Sequence, residues 1–161
     1  MLGAPYQNPH AFSTHVAVVE VDADSGEVKI VRYVAVHDCG RIINPLLVRG
    51  QVHGGIVQGI GQALWEGMVY SPEGQPLTGS LLDYVVPGAE GLPELITDTL
   101  ETPSPMNPLG IKGVGELPTV AAPAAVANAV LDALWGFGVR HIDTPLTPEK
   151  IWRAMHAPHV D

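Results

Sequence analysis

Charged side chains are scarce in this sequence of 161 residues. Asp, Glu, Lys and Arg make up 16% of the chain, against about 25% in a typical soluble domain. Only eight residues are Lys or Arg, and the formal net charge is −9. Because proteins hold nucleic acids chiefly by neutralising phosphates with basic side chains, this composition argues against a nucleic-acid partner. The shortage of charge also predicts that another chain, or a further part of the same polypeptide, covers some of the surface.

Cysteine and long apolar runs are nearly absent as well. Cys39 is the single cysteine, so no disulfide can form within the chain and an oxidising compartment is not indicated. The longest mostly apolar stretch, 117–131, is interrupted by two prolines and an asparagine and is too short to span a bilayer. The first ten residues, MLGAPYQNPH, show neither the basic nor the apolar region of a signal peptide. We therefore expect a cytoplasmic protein without a membrane span.

Several motifs that define catalytic classes are missing too. The sequence contains no G-x-x-x-x-G-K-[ST], G-x-G-x-x-G, H-E-x-x-H, C-x-x-C or G-x-S-x-G. The seven histidines are scattered, and none forms an i, i+4 pair of the kind that binds metals on a helix. We therefore predict no metal held by side chains, and we interpret His53 and Cys39 as packed residues rather than a metal ligand and a nucleophile.

What the sequence does contain is a succession of strand and helix patterns. Residues 15–22 and 28–37 alternate in polarity and predict a β-hairpin around the turn ADSGE. The later segments predict, in order, a glycine-rich helix over 46–68, an extended or strand-like stretch over 77–87, a strand over 94–101, an alanine-rich helix over 118–135, and a last helix with Thr147 as N-cap and Pro148 at its first position. This order predicts one α+β domain over 1–161. It would have two layers, a mixed sheet with an N-terminal β-hairpin and, packed on it, the glycine-rich and alanine-rich helices.

The glycine-rich helix needs an explanation, because each interior glycine costs about 1 kcal/mol relative to alanine. The five in question are Gly50, Gly54, Gly55, Gly59 and Gly61. They would allow either close packing of the helix on the sheet or close approach of its backbone to a ligand. The same helix carries three amides that could bind a flat polar ligand or simply be solvated: Gln51, Gln58 and Gln62. The pattern alone leaves these alternatives open.

One carboxylate stands at the end of a glycine loop, in the stretch PLGIKGVGELP over 108–118. Glu116 directly precedes the alanine-rich helix, whose free N–H groups favour an anion. It could therefore be a structural helix cap. It could also be a general base that the glycine loop holds at the mouth of a pocket.

Two long segments of the sequence resemble a known family. They are GQVHGGIVQGIGQALWEGMVYSPEGQPLTGSLLDYVVP and ETPSPMNPLGIKGVGELPTVAAPAAVANAVLDAL. Both are similar to the C-terminal part of the large, molybdenum-binding subunit of xanthine dehydrogenase, aldehyde oxidase and aerobic CO dehydrogenase. The similarity runs from about His15 to Met155 and is weaker over 1–13. It implies part of a molybdenum hydroxylase with a molybdenum–pterin cofactor, either molybdopterin or its cytosine dinucleotide form.

The resemblance implies roles for five residues. Glu116, in GVGE, matches the active-site base of the family. Gln51, in GQVHGG, matches a glutamine that contacts the pterin. Gly113, Val114 and Gly115 would bring backbone close to the metal centre. The pterin, and no protein side chain, would hold the molybdenum.

Family large subunits are several times longer than this chain. The resemblance therefore implies that the missing N-terminal portion of the large subunit, with iron–sulfur and flavin subunits or domains, completes the enzyme. A homo-oligomer is a further option. The isolated chain is expected to be inactive. The alternative is a folded, non-catalytic fragment or interaction module that does not hold the cofactor. These residues specify neither the electron acceptor nor the substrate, whether aldehyde, purine, other heterocycle or CO.

Overall fold

The computed structural model describes residues 10–157, so the outermost ends of the predicted 1–161 domain, and most of the stretch inspected for a signal peptide, lie outside the described residues. The elements follow the predicted order: β1 (Phe12–Val21), β2 (Val28–Asp38), α1 (Pro45–Leu64), β3 (Leu95–Leu100), α2 (Leu117–Ala133) and α3 (Pro148–His156), with a short 3₁₀ turn at Trp135–Phe137. Within the described range, no helix is long and apolar enough to cross a membrane.

The predicted hairpin is confirmed. β1 and β2 pair antiparallel along their whole length, with a bulge between Val18 and Val19. The carboxylate of Asp22 closes the turn by accepting hydrogen bonds from the amides of Asp24 and Ser25, at 2.9 and 2.8 Å. Such a turn is typical of aspartate, because its short side chain reaches its own backbone two or three residues on.

The sheet is mixed, as predicted, with strand order β1-β2-β3. β3 pairs with β2 in parallel, from Leu95 opposite Tyr33 to Leu100 opposite Asp38. Because β2 and β3 run parallel, the C-terminal end of β2 lies beside the C-terminal end of β3. The segments that follow both strands therefore begin near each other.

Residues 77–87 form no strand, so the strand-like alternative for this stretch is wrong. The carbonyl oxygen of Ser80 accepts a hydrogen bond from the amide of Tyr84 at 2.8 Å, and the Ser80 hydroxyl donates to Asp83 Oδ2 at 2.8 Å. The serine thus closes a turn over Leu81–Tyr84 by bonding locally, which competes with strand pairing.

The glycine-rich helix α1 begins at Pro45 with Asn44 as its N-cap. It ends at Leu64 rather than at Met68. The carbonyl oxygen of Gly61 accepts the amides of both Trp65 and Glu66, at 2.9 and 2.8 Å, so the chain leaves the helical path there. The hydroxyl of Tyr84 then donates to Glu66 Oε2 at 2.7 Å and fixes the departing segment.

The two long helices pack mainly on each other, and α2 lies on β1. A Cβ at Gly59 would lie 2.6 Å from Ala122 Cβ, and one at Gly55 would lie 2.9 Å from Pro118 Cγ. Close packing therefore explains these two glycines, but their neighbour is helix α2 and not the sheet. The core beneath is built from fully buried side chains of the strands and helices, among them Tyr33, Ile56, Ile60, Val126, Val130, Leu134 and Ile151.

The last helix is confirmed in position and in its cap. Thr147 accepts a hydrogen bond from the amide of Lys150, and Pro148 is the first helical residue. α3 lies against the hairpin turn, where Gly26 has a φ of +77°. A Cβ at Gly26 would clash with the backbone of Pro148.

Candidate functional site

An open groove lies between α1 and the start of α2. Its volume is about 650 Å³. α1 contributes Gln58 and Gln62, and the chain around the start of α2 contributes Gly115, Glu116, Thr119, Val120, Pro123 and Ala124. The groove thus brings the carboxylate of the glycine loop together with two of the glutamines noted in the sequence.

The loop 113–116 passes close to Gln51. This glutamine lies on the same face of α1 as Gln58. Gln51 Oε1 lies 3.6 Å from the position of a Cβ at Gly115. A Cβ at Gly113 would meet no atom of the described chain within 4 Å. Val114 is half-buried and its side chain packs against the hydrophobic core. Within the loop, Gly115 and Glu116 line the groove, whereas the Val114 side chain is packed away from solvent.

Glu116 does not act as a side-chain cap. It occupies the N-cap position of α2, but its φ and ψ of −92° and −16° are helical and its carboxylate makes no capping hydrogen bond. A capping side chain normally accepts from the amide two or three residues on. Pro118 occupies the nearer position and has no N–H. The carboxylate is exposed.

A buried ion pair holds the start of this loop, and sequence reasoning did not foresee it. Lys112 Nζ lies 3.2 Å from Asp38 Oδ1, and the two side chains are only 6% and 10% exposed. The same oxygen accepts the amides of Gly40 and Thr102 at 2.9 and 3.1 Å. Burial raises the pKa of Asp38, but the hydrogen bonds from Thr102, Gly40 and Lys112 outweigh it and hold that pKa well below its usual range. The signal available in the sequence was a lysine directly before the glycine loop, in a chain with few basic residues.

A second buried polar cluster joins His15, Tyr33 and His37 within the hairpin. His15 Nδ1 lies 2.8 Å from the Tyr33 hydroxyl, and His15 Nε2 lies 3.0 Å from His37 Nε2. Only one proton fits between the two facing nitrogens. Burial, and then the charge of His37, lowers the pKa of His15 to about 4. Burial likewise lowers the pKa of His37 and raises that of Tyr33. The histidines looked scattered because they become neighbours only when β1 and β2 pair.

The interpretation of His53 and Cys39 as packed residues agrees with the structure. His53 Nε2 lies 3.2 Å from Thr97 Oγ1 and links α1 to β3. Cys39 is 3% exposed, and burial raises the pKa of its thiol. Across residues 10–157, no group of three or more His, Cys, Asp or Glu side chains could hold a metal ion.

Comparison with known proteins identifies the family. The molybdopterin cofactor-binding domain family matches residues 2–93, a range that contains α1 and Gln51 but not the loop 113–116. The chain is 47% identical over 140 residues to the nicotine 6-hydroxylase large subunit of Paenarthrobacter nicotinovorans, covering 87% of this chain and 17% of that protein. It is 38% identical over 146 residues to the carbon monoxide dehydrogenase large chain of Hydrogenophaga pseudoflava, covering 91% and 18%.

The fold agrees with these relatives. The crystal structure of quinoline 2-oxidoreductase from Pseudomonas putida 86 superimposes with a TM-score of 0.86 at 45% identity, covering 89% of this chain and 18% of that one. The chain therefore belongs to the family of molybdenum-binding large subunits represented by xanthine dehydrogenase, aldehyde oxidase and CO dehydrogenase, whose cofactor is a molybdenum–pterin. It spans less than a fifth of the length of the two relatives described above.

The groove residues fit a pterin chemically. A pterin is flat and carries donors and acceptors around its edge, and the amides of Gln58 and Gln62 offer both kinds of group. Gly113 and Gly54 do not line the groove, but a Cβ at either would meet no described atom within 4 Å, so the main chain is open to a close neighbour there too. A pterin that carries its own metal also needs no cluster of metal-binding side chains.

Proposed function

We propose that this chain is the part of a molybdenum hydroxylase that carries the catalytic base, Glu116, and part of the pterin contacts. Those contacts would be Gln51 and the backbone of Gly113, Val114 and Gly115. One observation carries the proposal: an exposed carboxylate, free of a capping role, lies at a groove that also contains two glutamine amides. The membership of the family supports the same reading.

When bound, the molybdenum–pterin group would supply the oxidation of the substrate carbon. This chain would supply binding and proton transfer. The Glu116 carboxylate would accept a proton from the reacting centre, and the Gln51 amide would pair with the polar edge of the pterin. The glycines on either side of Val114 would let the main chain approach closely, since a side chain there would stand in the way.

The rest of the large subunit would complete the site, and iron–sulfur and flavin subunits or domains would carry the electrons away. The small share of the relatives' length supports this. So do the large apolar side chains left in solvent after α1, where Leu82 is 95% exposed and Leu81 is 81% exposed. We expect the isolated chain to be inactive. The cytoplasmic location and a homo-oligomer stay predictions.

The relatives named above act on nicotine, carbon monoxide and quinoline. Proteins of one family thus oxidise chemically different molecules. The residues of this chain assign none of them, because the proposed base and pterin contacts serve the cofactor rather than a particular substrate.

The decisive experiment replaces Glu116 by Gln in the complete enzyme, assembled with its partner subunits. The carbonyl and amide of Gln keep the size but cannot accept the proton, so kcat should fall by about 10²–10⁴-fold. Molybdenum and pterin content should stay unchanged. Glu94→Gln, at another exposed glutamate, is the matched control and should leave kcat as it is. Full activity of Glu116→Gln would remove the base from the mechanism.

The cofactor itself is tested by metal and pterin analysis of the assembly purified from its natural host. Near-stoichiometric molybdenum supports the proposed function. An assembly that is complete in subunits but free of molybdenum and pterin would favour the alternative, a folded module that has kept the fold without the chemistry.

A further inference from the structure

The loop that carries Glu116 is held by hydrogen bonds at its two ends, and between them the Val114 side chain packs against the hydrophobic core. At its C-terminal end, Thr119 Oγ1 lies 3.2 Å from the carbonyl oxygen of Gly55 on α1. At its N-terminal end, the amide of Lys112 donates to the carbonyl oxygen of Cys39 at 2.8 Å. Between these points, the nearest side-chain neighbour of Gly115 is Gln51. The position of the carboxylate therefore depends on what holds each end.

The N-terminal end is held by the buried ion pair between Lys112 and Asp38. Removing two charges from water is costly, and such a pair persists only when its geometry and hydrogen bonds are good. The contrast within this chain is the pair between Arg153 and Glu149 on α3, whose side chains are 72% and 69% exposed. An exposed pair of that kind contributes little to the structure. Loss of the buried pair should therefore affect the structure more than loss of the exposed pair.

Asp38 is placed to transmit the position of the sheet to the loop. It ends the central strand β2, and its Oδ1 accepts hydrogen bonds from three separate segments of chain, at Gly40, Thr102 and Lys112. The segment before Lys112 is held from the same side, because the carbonyl oxygen of Gly110 accepts the amide of Arg41 at 3.0 Å. Strand β2, the end of β3 and the start of the loop therefore converge on one carboxylate oxygen.

We propose that Asp38 and Lys112 are positioning residues, whose buried ion pair fixes the start of the loop 113–116 and so sets where the Glu116 carboxylate stands beside the groove. The chemical importance of that position rests on the proposed function. The ordering of the loop by the ion pair does not rest on the proposed function.

Three variants separate positioning from folding. Asp38→Asn keeps an oxygen that can accept from Gly40 and Thr102, but it leaves the buried Lys112 without an opposite charge, with only the Phe12 ring 5.0 Å away. This variant should unfold at a clearly lower temperature. The double variant Asp38→Asn/Lys112→Met has neither charge and should recover most of that loss. Lys112→Met alone leaves Asp38 with its two amide donors, so it remains a folded test if the double variant fails to fold.

The readout is ¹⁵N relaxation of the 161-residue chain without cofactor. In the unaltered chain, the amides of Gly113 and Gly115 should have order parameters near the rigid value of about 0.85. In the double variant, or in Lys112→Met, they should drop below about 0.6 while the Tm of the double variant stays within a few degrees of the original. The nuclear Overhauser contact between Gly115 and Gln51 should disappear. Glu149→Gln, which removes the exposed pair, should change neither the order parameters of Gly113 and Gly115 nor the contact between Gly115 and Gln51.

Two results would overturn the inference: a loop that is already mobile in the unaltered chain, or a loop that stays rigid when both charges are gone. In the complete enzyme, the double variant should lower kcat at least tenfold while cofactor content is retained. Because relaxation needs no cofactor, it decides the inference even if Glu116→Gln proves harmless. The failure of one proposal is thereby distinguished from the failure of the other.

Discussion

Glycine has different roles on two faces of helix α1. Gly55 and Gly59 lie against α2, where a Cβ would come within 3.0 Å of its neighbours. Gly50 and Gly54 meet no described atom within 4 Å of where a Cβ would stand. Helix–helix packing therefore accounts for the first pair only. The second pair carries the cost of glycine without any contact inside this chain, which fits a surface that something else approaches.

The polar groups divide in the same way. In the interior, Asp38 and Lys112 satisfy each other, and His15 bonds to both Tyr33 and His37. On the open side, Gln58, Gln62 and Glu116 are exposed around a groove. A buried polar group is costly unless it is paired, whereas an exposed one is available to a ligand. The contrast separates the part of the molecule that makes the fold from the part that is left for function.

The largest effect on stability is expected from filling the packed side. Gly59→Ala would place a Cβ 2.6 Å from Ala122 Cβ and 2.9 Å from Pro123 Cδ, so the helices must separate. We expect the free energy of unfolding to fall by about 1–3 kcal/mol, as for other overpacked cores. Urea unfolding followed by circular dichroism measures it. A variant as stable as the original would mean that the two helices are not in close contact.

A smaller effect is expected from acidifying the buried histidine cluster. The pKa of His15 is about 4 in the folded chain, against 6.5 for an ordinary histidine. Since the unfolded chain binds more protons between those values, stability should fall as the pH drops through that window. The full shift corresponds to about 3 kcal/mol, which partial exposure and solvent screening reduce to about 1–2 kcal/mol.

Unfolding curves at pH 7 and pH 5 measure this dependence. His15→Gln should reduce this dependence without abolishing it, because burial also lowers the pKa of His37. His141→Gln removes a histidine that is 77% exposed in its pair with Asp143 and should leave it unchanged. An equally steep dependence without His15 would assign it to other groups.

The smallest effect on the free energy of unfolding, of opposite sign, is expected at Gly54 on the open face of α1. Gly54→Ala meets no described neighbour, and alanine is the better helix former, so the free energy of unfolding should rise by about 0.5–1 kcal/mol. The same urea titration measures it. In the complete enzyme, the methyl group should lower pterin content if the cofactor approaches this backbone. Destabilisation of the isolated chain would instead reveal a contact within it.

Much of the fold could be predicted because its signals are local. The hairpin follows from alternation of polarity, and the last helix from Thr147 and Pro148. The early end of α1 was not predicted, because no local pattern links Glu66 to Tyr84, the residue 18 positions on that holds the departing segment. The same holds for the turn at Ser80, whose side chain competes with a strand that the apolar residues favoured.

The candidate site was predictable in part. The resemblance assigned Glu116 and Gln51, and the structure places the loop of Glu116 beside Gln51, although their roles stay predictions. The absence of a cap at Glu116 could not be predicted, because Pro118 removes only one possible donor and Thr119 keeps its N–H. The pairing of Asp38 with Lys112 could not, because 74 positions separate them and no local pattern links them.

That separation has a consequence for the order in which the molecule forms. Contacts between distant positions come late in folding, because the entropy of closing the intervening chain must be overcome first. The hairpin needs only a short turn and can form early. The bond between Asp38 and Lys112 closes a separation of 74 positions, so we expect it to form later. We therefore expect the segment that ends in Glu116 to reach its place after the hairpin that supplies Asp38.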